Sequence, residues 1–407
     1  MFNLQLDWDR PNQLSSQTAN HILRIRLNPT NPGSRTLPLH LAIALDTSQS
    51  MKGEKLTSAK QACQEIFKHL RDQDKLSLAS YSHRVNGLLN QVQGSDRQAQ
   101  TTINQLQAEG VTRTDLALNW LKKALPKEAG MIRVGILVTD GHATNSGGTL
   151  LEDLNPLLTQ TTELTDAGII LCTVGLGNAA NFNTEFLVNL SDRGRGAFIY
   201  ADRPEDLSQQ LQERLIACQS IATDELQLQL QPLNGATLQG FCQFRPEYLP
   251  LEETAPNQLT LSGIRANQPT DILVNLNVPA QGFGEAPTRK PFLNIELTAP
   301  NLAPIQAQAS LQYTNSYREA QQVNSEVNSD RLGWIMNQCS TDLTRTSDPH
   351  RTGELLVDLQ VAATKSGQTA IAQQAAQQLA DLQKSGKLDA HQLTNLLQET
   401  RKQGSQV

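Results

Sequence analysis

The chain has 407 residues, a net charge of −6, a pI near 5.7 and only 4% aromatic residues, a length that accommodates two or three domains and a core of ordinary size. Its acidic balance, with no basic run to neutralise a phosphate backbone, excludes a nucleic-acid binder, and the few aromatic rings offer no stacking platform. No stretch approaches the ~18 uninterrupted apolar residues of a spanning helix. Residues Met1 to Arg10 carry acidic side chains where a secretory leader needs a basic start, so no leader is expected.

Taken in order, residues 1–36 alternate apolar and polar side chains. Phe2, Leu4, Leu6 and Trp8 form one series, and Ile22, Leu23, Ile25 and Leu27 gather around Arg24 and Arg26. With a polar break from Asn12 to Asn20, this reads as a hairpin or two edge strands. So small a ribbon cannot bury itself and needs a partner sheet, expected after residue 220.

Residues 37–220 alternate strand and helix patterns, the mark of an α/β, doubly wound, mostly parallel, Rossmann-like sheet. Strands are expected at Leu37–Leu45, Leu76–Tyr81, Val85–Val92, Ile132–Val138, Ile169–Leu176 and Ala197–Tyr200, with Val85–Val92 antiparallel at an edge. Helices are expected at Leu56–Leu70, Asp96–Leu106, Asp115–Leu125, Leu150–Ala167, Thr184–Asp192 and Glu205–Cys218. Residues 221–315 change to short strands punctuated by Pro and Gly, such as Leu226, Leu228 and Leu230 alternating with Gln, and read as a small β-sandwich. Residues 1–36 are assigned to that sandwich. From 316 to 407 the pattern is helical: Leu332, Ile335 and Met336 begin one face, Leu355, Leu356, Leu359 and Val361 another, and Ala370–Leu382 and Leu388–Leu397 follow.

Five cysteines, at 63, 172, 218, 242 and 339, are odd in number, lack a Cys-x-x-Cys pair and sit mostly in apolar segments. They read as reduced, and the expected location is the cytoplasm.

One stretch carries the chemistry. The apolar run Leu39–Leu45 ends abruptly in Asp46-Thr47-Ser48-Gln49-Ser50, ahead of a helix-forming segment. A buried strand would deliver these side chains to the carboxyl end of the sheet, where open parallel sheets bind ligands. Asp46, Ser48 and Ser50 offer one carboxylate and two hydroxyls, hard oxygen donors that suit Mg²⁺. Asp-x-Ser-x-Ser at the tip of a first strand resembles the metal-ion-dependent adhesion site of von Willebrand factor A domains. Those domains complete the site with a Thr from a later loop and an Asp after a central strand. Both have counterparts here, in Gly110-Val-Thr-Arg-Thr-Asp-Leu116 and in Val134–Gly141.

The resemblance implies Asp46, Ser48, Ser50, Thr114 and Asp140 as metal ligands. Thr114 is preferred because Asp115 and Leu116 follow it, with Thr112 as the alternative. It also implies Mg²⁺ as the cofactor, with Mn²⁺ or Ca²⁺ as alternatives, and a vacant position for an Asp or Glu of a partner protein. The function so implied is metal-dependent protein binding, without enzymatic activity. His142 and Arg113 are expected at the rim, and the other histidines show no His-x-x-x-His spacing. The flanking organisation looks like that of uncharacterised bacterial A-domain proteins and, more loosely, of inter-alpha-trypsin inhibitor heavy chains.

Two competing readings differ in what they need. A haloacid-dehalogenase-like phosphatase would place an acid where Ser48 stands, and without it the leaving group has no proton donor. No Gly-x-Ser-x-Gly elbow and no phosphate loop appears. An accessory subunit of a chelatase- or MoxR-type AAA+ ATPase uses the same domain type, and differs by requiring an ATPase partner.

Overall fold

The computed structural model describes residues 2–30, 36–93, 98–282, 285–299 and 302–403. The chain divides into two compact units. One comprises residues 1–34, 225–386 and 399–407, the other residues 35–224 and 387–398.

The first unit opens with β1 (Phe2–Trp8), β2 (Asn12–Leu14) and β3 (Ala19–Pro29). β1 and β3 pair antiparallel, with Leu6 opposite Ile25. β2 falls inside the polar break of the sequence, and its strand state has a non-local cause: Asn12, Gln13 and Leu14 pair in parallel with the end of a strand some 300 residues later.

The second unit holds β4 (Leu39–Asp46), α1 (Glu54–Lys68), β5 (Lys75–Tyr81), β6 (Val85–Val92), α2 (Gln98–Asn104), α3 (Thr114–Ala124) and β7 (Ile132–Thr139). After these come α4 (Asn155–Asp166), β8 (Ile170–Leu176), α5 (Thr184–Arg193), β9 (Arg195–Ala201) and α6 (Leu207–Gln219). The sheet order is β6-β5-β4-β7-β8-β9, with β6 antiparallel and the other pairings parallel. β4 is buried along its whole length, because alternate side chains enter different cores. Leu39, Leu41, Ile43 and Leu45 pack in the core of α1 and α6, whereas Ala42 and Ala44 pack in the core of α3 and α5. The second face is kept thin: a Cβ on Gly135 of β7 would lie 3.3 Å from the Leu121 side chain of α3. α1 buries Leu56, Ala59, Ala62, Cys63, Ile66 and Phe67 at helical spacing. The segment 387–398 also packs here, with Leu397 buried in the α3/α5 core and Thr394 Oγ1 2.9 Å from Thr184 Oγ1.

One expected helix differs from that observed, and the start of another cannot be compared. Leu150–Ala167 is helical only from Asn155, where Pro156 occupies the first turn, the position that needs no backbone N–H. Residues 142–154 instead form a loop over the sheet's carboxyl edge. The expected start at Asp96 lies outside the described residues, and α2 is described from Gln98.

Back in the first unit, the strands are β10 (Ile221–Pro232), β11 (Thr237–Arg245), β12 (Leu249–Pro250), β13 (Glu253–Ala255), β14 (Gln258–Arg265), β15 (Thr270–Val278), β16 (Arg289–Ala299) and β17 (Leu302–Thr314). They make two sheets, β1-β3-β15-β11-β12 and β13-β14-β10-β16-β17-β2. Their facing sides share one core, with Leu23, Ile25, Leu27, Ile272 and Val274 from one sheet and Leu226, Leu228, Ile295 and Leu297 from the other. The outer face of the first sheet is covered by helix. Ile22, Cys242, Phe244 and Leu273 pack against Val327 and Trp334 of α8 (Ser325–Arg345), which follows the single turn α7 (Tyr317–Ala320). α9 (Pro349–Lys365) and α10 (Thr369–Ser385) extend this layer, and α11 (Ala390–Lys402) closes the described chain. Val361, assigned to a buried face by its spacing, is 45% exposed.

The same outer face holds a buried ion network. Arg24 in β3, 1% exposed, donates to Asp7 at 2.9 Å, Glu326 at 2.6 Å and Asp330 at 3.1 Å. Asp271 receives Arg26 and Arg245. The pairs tie α8 to the sheet, and of these charges Arg24, Asp330 and Asp271 are buried whereas Glu326 remains open to solvent.

Candidate metal centre

β4 carries Asp46 to the carboxyl edge of the sheet, fully buried, and the chain then turns sharply. The Ser48 N–H donates to Asp46 Oδ1 at 2.8 Å, and a single 3₁₀ turn, Gln49–Met51, follows with Met51 plugged into the core. Gly53, at φ +92°, supplies the left-handed backbone from which α1 starts. Two backbone bonds, Gln49 N–H to the Gly110 carbonyl (3.1 Å) and Glu109 N–H to the Thr47 carbonyl (2.7 Å), hold the second loop beside this turn. The third loop is fixed in the same way, as the Thr144 N–H donates to the Thr112 carbonyl at 2.9 Å.

The side chains then meet. Ser48 Oγ lies 3.0 Å from Ser50 Oγ, and the Ser50 hydroxyl donates to Asp140 Oδ1 at 2.8 Å. Thr139, the last residue of β7, donates its hydroxyl to Asp46 Oδ2 at 2.7 Å. Lys55, from the first turn of α1, donates to Asp140 Oδ2 at 2.5 Å. Asp46 and Asp140 are fully buried and Ser48 is nearly so, whereas Ser50 is exposed, so the cluster opens to solvent on the Ser50 side.

A Cβ on Gly141 would stand 3.6 Å from both Ser50 Oγ and Thr112 Oγ1, which puts the Thr112 hydroxyl beside the cluster. Thr114, the residue preferred on its flanking pattern, opens α3 as a buried first-turn residue, and its N–H donates to the Thr112 carbonyl at 3.2 Å. At the rim, Arg113 makes a bidentate pair with Asp115 (2.8 and 2.6 Å) and so is already engaged within the loop. His142 is half-buried.

Burial pushes the Asp46 carboxyl up to about 6. The hydrogen bonds from Thr139 and Ser48 pull it down, and the neighbouring Asp140 charge adds to the rise. Two buried carboxylates facing one ammonium are under-neutralised, a deficit that a cation fills. All the other side-chain donors of the cluster are hydroxyl oxygens, a chemistry suited to a hard divalent ion such as Mg²⁺, Mn²⁺ or Ca²⁺. Among the described residues no group of three or more His, Cys, Asp or Glu side chains converges on a metal position. The residues present therefore fit a hard divalent ion that retains water.

Thr139 and Lys55 are the site residues that sequence reasoning missed. Thr139 reads as the end of a strand. Lys55 carried a signal, because a lysine in the first turn of a helix opposes the helix dipole and needs a local carboxylate.

Comparison with known proteins agrees with the fold of the segment that carries this cluster. The family model of the von Willebrand factor type A domain matches residues 40–214. That segment is a von Willebrand factor type A domain. An uncharacterized protein of Synechocystis sp. is 28% identical over 252 residues, covering 60% of this chain and 58% of its own. The uncharacterized protein YfbK of Escherichia coli is 29% identical over 188 residues, covering 44% and 32%. The chain thus spans little more than half of the first of these relatives and a third of the second. In fold, the von Willebrand factor type A protein from Catenulispora acidiphila superimposes with a TM-score of 0.77 at 14% identity, covering 98% of this chain and 97% of that one. The likeness in fold thus extends beyond the A domain over the flanking sandwich and the C-terminal helices. Among the described residues no helix is long and apolar enough to cross a membrane.

Proposed function

We propose that the protein is a metal-dependent, non-enzymatic binding protein whose A domain captures an acidic side chain of a partner protein through a divalent ion, Mg²⁺ in the first instance. The observation that carries this reading is the chain from Ser48 through Ser50 to Asp140, joined across 90 residues of sequence and lying beside the buried Asp46. Asp46, Ser48, Ser50, Thr112 and Asp140 would hold the ion, with Thr112 taken in place of Thr114 because its hydroxyl, like that of Ser50, lies close to Gly141. A bound divalent ion supplies a position that an outside carboxylate oxygen can take.

The protein's own groups do the rest. Thr139 and the Ser48 N–H each hold one oxygen of Asp46 and so fix the orientation of that carboxylate. Ser50 holds Asp140 and leaves its exposed side toward a partner. The neutral hydroxyls add no further negative charge to the loaded site, so the ion keeps its attraction for an acidic ligand over a neutral one. Five cysteines without disulfide partners, all buried, support a reducing, cytoplasmic location.

The test compares wild type and Asp46→Ala in two assays. In thermal melts, millimolar Mg²⁺ should raise the melting temperature of the wild type only, since binding to the folded state stabilises it. In affinity capture, the proteins retained by wild type should be released by chelator and be absent from the mutant. Chelator-insensitive capture shared by both proteins would remove the reading.

A further inference from the structure

Lys55 stands in a place that needs explaining. It is the second residue of α1, where the helix dipole repels a cation, yet its ammonium lies 2.5 Å from Asp140 Oδ2 with the side chain only 23% exposed. The path it follows is reserved for it. A Cβ on Gly177, just past β8, would lie 3.1 Å from Lys55 Cε and 3.7 Å from Nζ, so a side chain at 177 would crowd the lysine away from the aspartate. Gly177 sits at φ +82°, a conformation that itself favours glycine. Three elements, α1, β7 and the end of β8, thus combine to hold one positive charge against Asp140.

We propose that Lys55 is a resident counter-cation that sets both how tightly the site holds its metal and how strongly the loaded site demands an anionic partner. This rests on the reading of the site given above. Lys55 neutralises one of the two buried carboxylates, so a divalent ion binds against a site of charge near minus one instead of minus two. The loaded site is then left with a net positive charge, where without Lys55 it would be near zero. The lysine therefore weakens metal uptake and strengthens capture of a carboxylate, and a purely structural role for the ion pair would produce neither effect in that combination.

The experiment uses full-length protein, Mn²⁺ as the metal and acetate as the minimal carboxylate. Mn²⁺ affinity is measured by isothermal titration calorimetry for wild type, Lys55→Met and Lys55→Gln, each in chloride and again with added acetate. Circular dichroism melts identify a variant that has failed to fold, in which case the other neutral variant gives the answer. The expected result is Mn²⁺ binding on the order of tenfold tighter in both neutral variants, even with near-aqueous screening of the lost charge, together with a smaller acetate-induced gain than in wild type. Unchanged or weaker Mn²⁺ binding in a folded variant, or an undiminished acetate effect, overturns the role of Lys55 while leaving the metal reading intact. A wild type that takes up no Mn²⁺ overturns both.

Discussion

Asp46→Asn offers a perturbation whose size follows from the geometry. Asp46 is fully buried, and its carboxyl is pushed from 3.8 to about 6 by that burial. At 1.36 kcal/mol per pKa unit, keeping it ionised at pH 7 without metal costs the folded domain about 3 kcal/mol. An amide keeps the shape and both hydrogen bonds, one accepted from the Ser48 N–H and one shared with the Thr139 hydroxyl, whose proton is free to reverse. The mutant should therefore be more stable than metal-free wild type, by roughly 5–10 °C in melting temperature for a unit of this size. The sign with pH is fixed by the direction of the shift. A carboxyl whose pKa is raised on folding stabilises the fold while protonated and loses that contribution as pH rises through about 6. The mutant's advantage should thus be full at pH 7, shrink below 6 and vanish near 4, which also separates it from the titration of other groups common to both proteins. With Mg²⁺ present the order should narrow or reverse, because wild type alone gains from the ion. Thermal melts in chelator at stepped pH, with and without Mg²⁺, read all of this. A mutant less stable than metal-free wild type at pH 7 would refute the claim that a buried, under-neutralised carboxylate marks a cation position.

Other perturbations address neighbouring links. Thr112→Ala should weaken Mn²⁺ binding by about 10- to 100-fold, whereas Thr114→Ala should leave affinity within a few-fold, both by calorimetry; equal losses would contradict the placement of Thr112 beside the cluster. Gly141→Ala introduces a methyl in ordinary contact, 3.6 Å from Ser50 Oγ and Thr112 Oγ1, so Mn²⁺ affinity should fall by about tenfold while the metal-free melting temperature barely moves. In the sandwich unit, Arg24→Met leaves Asp7, Glu326 and Asp330 without their shared guanidinium, and chemical denaturation should show a loss of about 3–5 kcal/mol. A smaller change would show that Arg26 and Arg245, the other partners of Glu326 and Asp330, make up for the lost guanidinium.

The doubly wound sheet was legible because its signals are local. Leu39–Leu45 is apolar on both faces, as a strand covered by helices must be, and the 3–4 spacing from Leu56 to Phe67 marks α1 without help from elsewhere. The first and third loops of the site were legible for a related reason: Asp46 and Asp140 each end an apolar strand, so strand assignment alone sends both to one edge. The second loop was less legible, since the position of its threonines depends on how the backbone of Glu109, Gly110 and Thr112 is pinned by Thr47, Gln49 and Thr144, contacts made between loops. β2 was missed because the short stretch Asn12-Gln13-Leu14 becomes a strand only when β17 lies beside it. The Leu150–Ala167 helix was drawn too long because apolar Leu150 and Leu151 fit its period, yet Leu150 is 58% exposed and the chain waits for Pro156 to begin the turn. Lys55 and Thr139 escaped because each owes its role to a carboxylate remote in sequence.

The central claim is that side chains from three loops gather around one divalent ion with a side open to solvent. Crystals of wild type soaked in Mn²⁺ and measured near the manganese absorption edge test it most directly. The account predicts a single strong anomalous peak among Asp46, Ser48, Ser50, Thr112 and Asp140, absent from Asp140→Ala crystals. A peak elsewhere, or none at these residues in a well-ordered wild-type crystal, would contradict it.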